Sequence, residues 1–130
     1  MKSSTCIIAT AFFLLGCDKG VEYASSKFIV RVDSLSHVAF AALNDTIAIR
    51  FFGTIGPDGC YSFSHFETAT HTSALDITVY GQHQEASVCP QVMVYLAGRE
   101  FRFIPAQMGW LKVNVHQPDN SVLRDSIIVK

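Results

Sequence analysis

An all-β fold, read as an antiparallel sandwich of seven to nine short strands, is what this sequence predicts. Apolar and polar residues alternate with period two along most of the chain after residue 27. A helical repeat of apolar positions is nearly absent. Turn-forming clusters, Gly56-Pro57-Asp58-Gly59 and Gln117-Pro118-Asp119-Asn120, punctuate the alternation at intervals suited to a sandwich.

The elements follow in order. Phe28, Val30 and Val32 alternate with Ile29 and Arg31, which gives a first strand. The stretch 35–43 (LSHVAFAAL) fits a first or edge strand, with a turn or two of helix as the other reading. Ile47, Ile49 and Phe51 alternate with Ala48, Arg50 and Phe52 and predict one buried face. In the first turn, proline sets φ and glycine is free to take positive φ. Residues 60–66 (CYSFSHF) then place Tyr61 and Phe63 together, and Leu75, Ile77 and Val79 form the next apolar row. Val92, Val94 and Leu96 run to Ala97-Gly98, and Phe101 and Phe103 form a strand stopped by Pro105. Leu111, Val113 and Val115, then residues 123–129, close the domain.

The N-terminus has a different character. Lys2 supplies a basic start, residues 6–16 are apolar apart from Thr10, and Leu14-Leu15-Gly16-Cys17 leads directly into polar Asp18-Lys19-Gly20. This resembles a bacterial lipoprotein signal peptide with its lipobox. The run is too short to span a bilayer, which takes about 20 residues, and has the length of a signal h-region. The resemblance implies cleavage after Gly16, acylation of Cys17, and an extracytoplasmic protein held at the cell membrane or outer membrane by lipid. The expected organisation is a signal peptide over 1–16, a lipidated cysteine and polar tether over 17–27, and a β-domain over 28–130.

On that reading Cys6 leaves with the signal peptide and Cys17 carries lipid. Cys60 and Cys89 remain, in an oxidising compartment where pairing is the expected outcome and two separate thiols the alternative. The 10 basic and 11 acidic residues nearly balance, without a concentrated basic face for nucleic acid. Hydrophobic residues make up 49% of the chain, enough to pack a core.

Gly56 through Phe63, Val88-Cys89-Pro90, Gly109-Trp110-Leu111 and the closing Asp125-Ser126-Ile127-Ile128-Val129 together resemble uncharacterised bacterial lipoproteins carrying an immunoglobulin-like or fibronectin-type sandwich. The resemblance implies that fold and specifies no catalytic residue. Cys60 follows a turn and Cys89 lies beside Pro90, so a bridge between them differs from the inter-sheet bridge of antibody domains.

Chemistry is sparse. His65, Glu67 and His71 make only an irregular cluster, no nucleophile elbow occurs, and no metal or cofactor is expected. A metal-assisted hydrolase using His65 and His71 is the enzymatic alternative to a non-enzymatic binding or accessory domain. If the closing strands pair, Trp110, Lys112, Asn114 and His116 share an outer face with Val122, Arg124, Ser126 and Ile128, and Ser64 and Phe66 extend it if the third strand is adjacent. Aromatic, arginine and small polar residues suit an interface with an envelope protein, or a glycan through Trp110 or Tyr80. Residues 81–91 form a second candidate as a disulfide-stapled loop.

Overall fold

A computed structural model describes residues 24–130. The strands in chain order are β1 (Ser25–Ile29), β2 (Ser34–Ser36), β3 (Phe40–Ala41), β4 (Ile47–Phe52), β5 (Thr54–Gly56), β6 (Tyr61–Thr70), β7 (Ala74–Gln84), β8 (Val94–Tyr95), β9 (Arg99–Phe103), β10 (Gly109–His116) and β11 (Val122–Val129). No helix occurs among the described residues. The expected signal peptide, the expected lipidation site Cys17 and most of the expected tether lie outside them. Where the two overlap, the expected boundary at residue 28 moves: Ser25, Ser26 and Lys27 pair with Gln84, His83 and Gln82 and so belong to the first strand.

The alternation decides which faces are buried. Ile47, Ile49 and Phe51 point one way from β4; Leu75, Ile77 and Val79 from β7, Val113 and Val115 from β10, and Ile127 and Val129 from β11 meet them in one core. Strands rich in β-branched residues suit this pleated, half-buried role.

The pairing departs from a purely antiparallel arrangement. β6 takes one edge of β7 along nearly its whole length. The opposite edge is shared, with β10 parallel beside Ala74–Thr78 and β1 antiparallel beside Tyr80–Gln84. β11 forms a hairpin with β10, and β3 runs parallel to β11. The second sheet is β2-β4-β9, and β5 pairs with β8. Composition explains the order. β7 offers three consecutive inward aliphatics and takes the interior place, whereas the Ser, Thr, His and Glu of β6 tolerate an edge.

Eleven strands replace the expected seven to nine for two local reasons. The 35–43 stretch is divided, with β2 on the edge of one sheet and β3 on the edge of the other. Gly53 separates β4 from β5 where the backbone of Arg31 comes so close that a Cβ would lie 2.4 Å from its carbonyl oxygen. The turn after Gly56 forms without positive φ at either glycine; the Asp58 side chain accepts the Cys60 N–H at 2.9 Å instead. The tight turn before β9 places Ala97 at φ 51° and Gly98 at φ 79°. The Arg99 N–H donates to the Leu96 carbonyl at 3.0 Å across it.

Candidate functional site

The hairpin register brings the expected outer face together. Trp110 stands opposite Ile128, Lys112 opposite Ser126, Asn114 opposite Arg124 and His116 opposite Val122. Trp110, Lys112, His116 and Arg124 are exposed. The next strand over is β7 rather than β6, so Asp76 and Thr78 stand beside Asn114 and His116. Ser64 and Phe66 therefore do not extend this face next to β10. A bulge between Phe63 and His65 turns Phe66 inward, with its ring 5.1 Å from Phe51 and 5.5 Å from Phe101.

Asp76 is the centre of the polar part. The Asn114 amide donates to its Oδ1 at 3.0 Å, His71 Nε2 lies 2.9 Å from Oδ2, and His116 Nε2 lies 3.7 Å from Oδ1. The Asn114 hydrogen bond outweighs partial desolvation and, with the two imidazoles, holds the carboxyl below its ordinary range. His65 stacks on Tyr80 with ring centroids 4.8 Å apart. Desolvation and the nearby Glu67 carboxylate push the Tyr80 hydroxyl upward.

His65 and His71 do not converge. Six residues of extended chain separate them by about 20 Å, which removes the geometry of a shared metal site. The grouping of potential ligands that does cluster among the described residues is Asp58, Cys60 and Cys89. Its two sulfurs are joined in the Cys60–Cys89 disulfide, which leaves no thiolate. The loop it staples is shorter than expected, because residues 81–84 belong to β7. The Gly59 N–H donates to the Pro90 carbonyl at 2.7 Å and fixes the rest.

A pocket of about 200 Å³ opens where β6, β9 and β10 approach one end of the core. Leu75, Phe101, Phe103 and Leu111 form its apolar lining; Thr68, Thr70, His71, Thr72 and Ser73 supply one polar wall. Pro105 follows the end of β9, and Gly109 at φ 109° starts β10 in a backbone conformation that disfavours side chains. The connecting arc presents Ile104, Met108 and Trp110, each more than 60% exposed, around the mouth. His71 belongs to both regions, so the pocket and the Asp76 cluster are contiguous.

Trp110 is legible in the sequence but this pocket is not, because its lining runs from Thr68 to Leu111. Nor does the sequence mark His37, whose side chain is 9% exposed, with Nε2 2.7 Å from Asp125 Oδ2 and Nδ1 2.7 Å from the Val38 carbonyl. Desolvation raises the Asp125 carboxyl, but His37 and the Ser126 N–H together bring it below its ordinary range.

No family model, curated protein or solved structure matches the chain.

Proposed function

We propose that this protein is a lipid-anchored component of a bacterial cell envelope whose β-domain is a non-enzymatic binding or accessory module seated on the end pocket. The observation that carries the binding part is the pocket itself, an apolar cavity with Ile104, Met108 and Trp110 exposed around its mouth. An apolar lining with a few polar groups is the usual composition of a ligand cleft, and at about 200 Å³ this one has the size for a small group or a single side chain. The membrane part rests on the sequence Leu14-Leu15-Gly16-Cys17. A single acyl chain binds a membrane marginally, whereas two or more make a lasting anchor.

An immunoglobulin-like layering is part of the same reading. The antiparallel β4–β9 pair, the β10–β11 hairpin and the shared core support it, and the parallel placement of β7 beside β10 is a departure from antibody-type order.

Trp110 is the sole tryptophan of the chain and stands at the pocket mouth, so its fluorescence reports occupancy. Titration with envelope glycan oligomers and with short apolar peptides is expected to shift its emission for one class. Emission indifferent to both, together with unchanged envelope capture by Trp110→Ala, sinks the binding reading. Glycan response selects the carbohydrate-binding form of it, which the Thr and Ser hydroxyls of the wall favour. The anchor is tested separately: Cys17→Ser abolishes palmitate labelling and releases the protein from membranes, and retention after that change refutes lipid anchoring.

A further inference from the structure

We propose that the outer edge of β6 pairs antiparallel with the same edge of a second copy of this chain, about a two-fold axis at Phe66. β6 is ten residues long and its strand partner among the described residues is β7 alone. The other edge therefore presents a row of backbone donors and acceptors that no described strand pairs. Proteins usually blunt such an edge with Lys, Pro, a bulge or a covering loop. Tyr61–Thr70 contains neither Lys nor Pro. Its one irregularity is the bulge between Phe63 and His65, after which His65–Thr70 runs in regular register with β7.

Charge selects the second copy as the occupant and fixes the register. His65 and Glu67 lie on the outer face, opposite Tyr80 and Thr78 of β7, while Phe66 between them faces the core. A two-fold at Phe66 sets His65 of each copy directly across from Glu67 of the other, giving two imidazole–carboxylate pairs. Centring the axis on Glu67 would instead oppose two carboxylates, which is unfavourable for directly facing residues. The contact is isologous and closes on itself, so it yields a dimer rather than a fibre.

The test is a charge-swap cycle on the full chain, followed by sedimentation velocity in density-matched detergent. Far-UV circular dichroism checks that each variant keeps its fold, which the exposed outer-face positions allow. Wild type is expected to self-associate. His65→Glu, which faces two carboxylates at each contact, and Glu67→His, which faces two imidazoles, are each expected to weaken the dimer roughly tenfold. The double variant H65E/E67H restores the complementary pairs and regains most of the lost affinity. A wild type that stays monomeric at its highest soluble concentration overturns the proposal. So does a dimer indifferent to both single changes, or one the double variant does not restore.

Discussion

Replacing Gln117 should be among the most damaging polar substitutions in the domain. Val32 lies where the chain leaves β1 for β2 and passes from one sheet to the other, so neither sheet supplies it a ladder partner. Gln117, 6% exposed, fills that gap: its Nε2 donates to the Val32 carbonyl at 2.8 Å and its Oε1 accepts the Val32 N–H at 2.9 Å. The side chain thus imitates a neighbouring strand. Gln117→Ala leaves a buried donor and a buried acceptor unmet, each costing about 1–3 kcal/mol. We expect a loss of about 2–5 kcal/mol, a large part of the 5–15 kcal/mol typical of a domain. Gln117→Leu keeps the volume and removes both bonds, separating hydrogen bonding from packing. Equilibrium urea unfolding measures both, with unchanged slope as the sign that the end states are the same. The melting temperature should fall by roughly 10–20 °C. A loss below about 1 kcal/mol in both variants would refute the reasoning, because Val32 would then have to find other partners at little cost.

Adjacent phenylalanines give an internal control on strand facing. Phe51→Ala, at a fully buried position, should cost about 3–5 kcal/mol, whereas Phe52→Ala, on the opposite and partly exposed face, should cost far less in the same denaturation assay. Reduction of Cys60–Cys89, or the double serine variant, opens a loop with a sequence separation of 29 residues. It should lower stability by roughly 3–4 kcal/mol, with intact mass rising by about two hydrogens on reduction. Asp76 predicts a pH dependence. Its folded pKa is depressed, chiefly by Asn114, so its contribution is complete above the unfolded value and is lost as pH falls through the lower folded one. The stability gap between wild type and Asp76→Ala should narrow in acid, as pH falls below about 4. A gap that persists unchanged to pH 2 would show that Asp76 acts through something other than its charge.

Much of the domain was legible because burial in a sheet is written residue by residue. The alternating rows at Ile47–Phe51, Leu75–Val79 and Leu111–Val115 point inward as the pattern requires, since a one-residue slip would expose every one of them. The shared outer face of β10 and β11 was legible for the same reason, as two periodic strands joined by a short turn. Strand order was not. Periodicity says which side of a strand faces the core but nothing about which strand lies beside it. The choice between β6 and β7 as neighbour of β10 depended on relative apolarity summed over two whole strands.

The candidate site falls on the illegible side of that division, for a physical reason. Trp110, Lys112, His116 and Arg124 share a face because a hairpin is local, and local pairing can be read from sequence. The pocket and the Asp76 cluster arise only when β7 enters between β6 and β10, carrying Asp76 to Asn114 and His116 and bringing its leading turn to the mouth beside Trp110. Gln117 makes the same point in the core. In sequence it is the first residue of a turn; in the fold it is the one buried polar side chain of the described core, made necessary by a crossover 85 residues away. Polar residues in this chain therefore take their roles from where the backbone is forced to leave a ladder or a face. Substitutions at Gln117, Asp76 and Asn114 should consequently disturb the protein more than their hydrophilic, turn-like or edge-like sequence settings suggest.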